Sequence, residues 1–129
     1  VGGLMDSLRP GVHFIGEVGG HEKAVCFADA KALLFPIDWE EPFGLVMIEA
    51  LMSGTPVIAT PRGSVPELIN DKVGALFEDD EDFAAALAHA TACQPEDCRA
   101  WAVANFSSKV CADNYLKLYQ GVVSGSVSF

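Results

Sequence analysis

The sequence predicts an α/β fold, a doubly wound parallel sheet of about four strands with helices on both faces and more helices at the C-terminal end. Three observations carry this. Short apolar runs such as ALLF and PVIA end at proline, threonine or glycine, as strands buried on both faces do. Segments with helical spacing separate them. Half of the 129 residues are hydrophobic, enough for a real core in about one domain.

Residues 12–15, VHFI, form a β-branched and aromatic run closed by Gly16 and read as the first strand. His21 to Ala30 is a short helix with Ala24, Val25, Phe27 and Ala28 on its apolar face. Ala32 to Phe35 is a strand buried on both faces and ends at Pro36. Pro42 suits the first turn of a helix that runs to Ser53, and Gly54 stops it. Pro56 to Ala59 is another buried strand, followed by a loop from Thr60 to Gly63. Ser64 and Glu67 have capping-box spacing at the start of a short helix to Asn70. Gly74 to Phe77 is the last strand. Helices then follow over 81–92, with Phe83, Leu87 and Ala90 on one face, over 95–105, and over 107–122, with Cys111, Tyr115, Leu118 and Val122 in one stripe. The whole is a partial Rossmann-like domain, and residues 123–129 read as a flexible tail.

Charge narrows the partners. Eighteen acidic residues against eight basic ones give a net charge of -10, which repels nucleic acid and anionic membrane surfaces. There is no eighteen-residue apolar run for a membrane span, and the start VGGLMDSLRPG lacks the features of a signal peptide, so the expected location is cytoplasmic. Cys26, Cys93, Cys98 and Cys111 form no CxxC and read as reduced thiols that pack between helices. With His89, the last three match no standard zinc spacing, so neither a metal nor a cofactor is expected.

Ligands of an open α/β sheet bind outside the carboxyl ends of its strands. Three loops lie there: 16–20, 36–42 and 60–64. Helix starts offer unpaired amides to phosphates and hydroxyls, and Gly44 would let a ligand approach the amides of Phe43 to Leu45. On spacing alone a plain helix start is an equally good reading. Glu41 and Glu49 are eight residues apart, about 12 Å along a continuous helix. That exceeds the separation of an acid/base pair acting on one bond and suits two posts along one extended ligand. The alternatives are a solvated helix edge or a structural salt bridge. Glu40 reads as solvated, and Lys23, the nearest base to a ligand-side loop, as a surface residue.

The stretch EPFGLVMIEALMSGTPVIATPRGSVPELI resembles the E-x7-E region of the group 1, or family 4, retaining glycosyltransferases of the GT-B fold. The match runs through Glu41, Phe43, Gly44, Leu45, Glu49, Ala50, Gly54, Pro56, Val57, Gly63, Pro66 and Glu67, and similarity extends from about Val12 to Tyr119. The resemblance implies hexosyl transfer from a nucleotide diphosphate sugar donor, as in polysaccharide biosynthesis. It implies that Glu41 contacts the donor sugar as the catalytic residue and that Glu49 accepts from the ribose. Phe43, Gly44 and Leu45 would meet sugar or phosphate, and Gly63 would lie near the diphosphate.

Three features depart from the family pattern. Pro42 stands for a glycine, Ser64 for the second glycine of a pair, and Arg62 precedes them on the loop. The G-R-x…K-G clamp, two further strands and the N-terminal Rossmann domain with its acceptor contacts have no counterpart here. Residues 1–122 are therefore expected to be an N-terminally truncated C-terminal nucleotide-sugar-binding domain, inactive as a transferase by itself. A non-catalytic Rossmann-like interaction module and a sugar-nucleotide epimerase fragment are the competing expectations.

Overall fold

The computed structural model describes residues 10–127; the expectations that reach into 1–9 and 128–129 fall outside it. Three strands, β1 (Leu33–Phe35), β2 (Val57–Ala59) and β3 (Gly74–Leu76), form a parallel sheet in the order β1-β2-β3. Leu33, Leu34 and Phe35 align with Val57, Ile58 and Ala59, and these align with Gly74, Ala75 and Leu76. The helices are α1 (Gly20–Asp29), α2 (Leu45–Met52), α3 (Val65–Leu68), α4 (Asp80–Ala90), α5 (Pro95–Phe106) and α6 (Ser108–Val123).

The α/β class with helices on both faces is as the sequence predicts. Alternation along β2 shows the two layers. Val57 and Ala59 point into a core built by Met47, Ile48, Ala50 and Leu51 of α2, Val65 and Leu68 of α3, and Cys98 and Ala102 of α5. Ile58 points the other way, onto Ala86 and Ala90 of α4. Leu51 is wholly buried. Truncating Leu51→Ala is expected to cost about 2–5 kcal/mol in urea unfolding. A loss below about 1 kcal/mol would remove it from the core.

Four expectations change. Residues 12–15 do not join the sheet. β propensity reports fit to a half-buried pleated surface, and Val12, Phe14 and Ile15 stay 46%, 55% and 61% exposed. Among the described residues the sheet therefore has three strands, not four. β1 is not buried on both faces. Leu34 lies on the α4 side, but α4 packs on β3 and β2 and leaves Leu34 half exposed. On α4, Ala86 replaces Leu87 in the buried face, and the helix starts at the side chain of Asp79, which accepts from the amides of Glu81 and Asp82. The α6 stripe of Cys111, Tyr115, Leu118 and Val122 stays exposed, because α6 buries none of its residues among those described.

The helix α5 braces the sheet through α2. Trp101 of α5 donates its indole N–H to the Leu68 carbonyl at 2.9 Å. All four cysteines are free thiols. Cys98 packs in the core as expected, and burial, followed by the charges of Cys93 and Asp97, pushes its pKa up to about 11. Cys26 and Cys111 are exposed and do not pack between helices. No helix among the described residues is long and apolar enough to cross a membrane.

Candidate functional site

Two of the three ligand-side loops are locked into one structure. The segment after β1 runs from Pro36 to Gly44, and the segment after β2 runs from Thr60 to Ser64. The amide of Ser64 donates to the Glu41 carbonyl at 2.9 Å, and its hydroxyl donates to the Phe43 carbonyl at 2.8 Å. Thr60 adds a hydroxyl bond to the Ile37 carbonyl. Because Ser64 spends its hydroxyl on Phe43, it makes no side-chain cap, and the predicted capping box with Glu67 does not form.

Gly63 is what allows the loops to touch. Its φ is +57°, in the left-handed region, and a Cβ there would lie 2.3 Å from the carbonyl oxygen and 2.5 Å from the nitrogen of Glu41. The same amide donates to Glu40 Oε2. Glu40 is thus not a merely solvated side chain; it ties the second loop to the first.

The helix carrying the two glutamates starts later than predicted. Pro42 lies outside it, and Gly44 is the N-cap with φ 85° and ψ 61°. A side chain at this left-handed position would be strained and would meet the Met47 side chain. Helical rise therefore applies only to the four steps from Leu45 to Glu49, about 6 Å. The 12 Å estimate, which treated Glu41 to Glu49 as one helix, does not hold. No side chain caps the start of α2. Leu45 is 69% exposed.

Each glutamate has a partner that the sequence did not reveal. Glu41 Oε2 accepts from the Trp39 indole N–H at 3.0 Å, and Oε1 accepts from the Phe43 amide at 3.4 Å. Phe43 leans edge-on against Phe106 of α5, 6.3 Å between ring centroids, so its amide turns to Glu41 while its ring faces α5. Glu49 Oε1 pairs with Lys23 Nζ of α1 at 2.7 Å. Among the described residues its Oε2 takes no hydrogen bond. Lys23 is therefore a bridge from α1 to α2. Arg62 is exposed on the loop beside Gly63. His21 lies inside the first turn of α1 and does not cap it, since Gly19 is the N-cap.

Glu41, Gly44, the start of α2 and Gly63 thus gather at the carboxyl ends of β1 and β2, with Glu49 one turn into α2. No group of three or more His, Cys, Asp and Glu among the described residues is arranged to hold a metal. A separate groove of about 480 Å³ runs along β3 and α4, lined by Asn70, Asp71, Asp82 and His89. It includes none of the loop residues.

The family profile of the glycosyl transferases group 1 matches residues 6–105. The chain belongs to the group 1 glycosyltransferases. This is the family that the residues between Glu41 and Glu67 resemble. A phosphatidyl-myo-inositol mannosyltransferase of Mycobacterium leprae is 30% identical over 134 residues, covering 97% of this chain and 35% of its own length. The structure of a glycosyltransferase involved in avilamycin A biosynthesis superposes with a TM-score of 0.71 at 28% identity, over 86% of this chain and 36% of that one. Sucrose-phosphate synthase from Thermosynechococcus elongatus gives a TM-score of 0.72 at 30% identity, over 95% and 33%. The chain of this glycosyltransferase family member spans about a third or less of the length of these curated relatives, 33% in a Klebsiella pneumoniae protein encoded in a cps region and 18% in a D-inositol 3-phosphate glycosyltransferase of Streptomyces griseus.

Proposed function

We propose that this chain grips the nucleotide diphosphate sugar of a retaining glycosyltransferase, with Glu41 at the sugar, Glu49 at the ribose, and Phe43, Gly44, Leu45 and Gly63 around the phosphates and sugar hydroxyls. The observation that carries this is the docking of Gly63 on Glu41 beside the uncapped start of α2. It brings carboxylate acceptors and helix-start amides to one edge of the sheet, where an extended, hydroxyl-rich anion has complementary groups along its length.

In the transfer, the bond from the sugar C1 to the leaving phosphate oxygen breaks with its electron pair going to the nucleoside diphosphate. A new bond forms from C1 to an acceptor oxygen, whose proton passes to the departing diphosphate oxygen. The chain's own residues contribute orientation and charge complementarity. Trp39 and the Phe43 amide hold both Glu41 oxygens, so Glu41 meets the sugar in a fixed orientation.

The diphosphate faces an acidic surface here, so its basic clamp and the acceptor site belong, in this proposal, to an N-terminal Rossmann domain and the adjoining segment. By the same reasoning the 129 residues alone transfer no sugar. We assign the intact protein to the cytoplasm, where nucleotide sugars are the donor pool.

Glu41→Ala separates the two posts. In the intact protein it is expected to lower kcat by about tenfold or more while leaving nucleoside diphosphate affinity within about twofold. Steady-state kinetics with calorimetric titration of the product nucleotide reads both. Equal losses in both would contradict the donor-sugar role.

A further inference from the structure

We propose that Lys23 is a positioning residue for the nucleotide: it anchors one oxygen of Glu49 so that the other is presented to the 2′-hydroxyl of the ribose. The inference rests on reading Glu49 as the ribose post and adds a residue from a different helix to that site.

Lys23 is the fourth residue of α1, whose N-cap is Gly19, and its amide still bonds back to the Gly19 carbonyl at 3.3 Å. Its ammonium crosses to α2 and donates to Glu49 Oε1 at 2.7 Å. The two residues are 26 apart in sequence, so the pair forms only because α1 and α2 pack together. The other ion pair among the described residues, Lys109–Asp113, is a local one-turn contact on α6.

Stability does not account for the pair. The side chains are 34% and 43% exposed, and ion pairs this open to water add little to folding. Its effect is geometric. A free glutamate explores three side-chain torsions, and fixing them on binding costs affinity. The Lys23 contact narrows that freedom beforehand. It also occupies Oε1 alone, leaving Oε2 without a hydrogen bond among the described residues. A carboxylate held this way accepts from a hydroxyl in one direction, which favours a ribose over a 2′-deoxyribose.

The test compares ribose with 2′-deoxyribose. The intact protein is titrated calorimetrically with UDP, GDP and ADP and with their 2′-deoxy counterparts. The wild type is expected to favour the ribose form of the nucleotide it binds by about tenfold or more. Lys23→Met lowers that ratio by about threefold to tenfold, Lys23→Arg restores most of it, and Lys23→Met adds nothing in a Glu49→Ala background. Thermal unfolding checks that each variant folds, and Lys23→Gln replaces a methionine variant that does not. A purely structural lysine would lower both affinities equally and leave the ratio unchanged; that result overturns the proposal. If Glu49→Ala lowers the ratio and Lys23→Met does not, the Lys23 assignment alone fails. If Glu49→Ala leaves the ratio unchanged, or none of the six nucleotides binds, the ribose reading fails and takes the proposal with it.

Discussion

Gly63→Val is expected to lower unfolding stability by about 2–5 kcal/mol and to remove donor binding with it. The cost has two parts. A β-branched residue at φ +57° is strained by about 1–2 kcal/mol. Its Cβ would also fall within 2.5 Å of the Glu41 backbone, which cannot rotate away as a side chain can. Overpacking of this kind costs about 1–3 kcal/mol. The loop then lifts from Glu41, and the bonds from Ser64 to Glu41 and Phe43 go with it. Urea unfolding gives the first effect, and titration with the nucleotide gives the second under conditions where the variant is folded. A stability loss under about 1 kcal/mol would mean the two loops are not locked through this glycine.

Glu49→Ala is expected to act on binding instead of folding. Removing a charged acceptor for a ribose hydroxyl weakens nucleoside diphosphate binding by about 1.5–3 kcal/mol, or roughly 10- to 150-fold. The lost pair with Lys23 is more than a third exposed on both sides, so its share of stability is about 0–1 kcal/mol at most and falls with salt. Affinity and unfolding measured on the same variant therefore diverge. Unchanged affinity would rule out the ribose role, and a large loss of stability with it would assign Glu49 to the fold alone.

Much of this architecture is legible locally. PVIA reads as a buried strand because every side chain of β2 is covered, and Gly54 ends α2 where the sequence puts it. ALLF reads the same way, yet Leu34 is exposed, since coverage is a property of the helix above and not of the strand. VHFI has the composition of a strand but lies outside the three-strand ladder. Pro42 satisfies the rule for a first helical turn, but the left-handed Gly44 postpones the helix to Leu45.

The site divides along the same line. Glu41, Gly44, Glu49 and Gly63 stand out by motif and spacing. Their partners Trp39, Glu40 and Lys23 do not, although Trp39 is two residues from Glu41. The Glu40–Gly63 and Lys23–Glu49 bonds join residues 23 and 26 apart. No local periodicity encodes contacts of that range; they follow from how α1 and α2 pack and how one loop lies on the next. The Ser64 hydroxyl, expected to cap α3, is a similar case: it donates instead to the Phe43 carbonyl of the other loop.

In the proposed reading the donor lies across the two locked loops and the start of α2. Amide hydrogen exchange of the intact protein, with and without a saturating UDP-, GDP- or ADP-sugar, tests it most directly. Added protection is expected in residues 36–49 and 60–64, with little change along the groove between β3 and α4 over residues 70–89. Protection confined to 70–89, or none for any of the three donors, would contradict it.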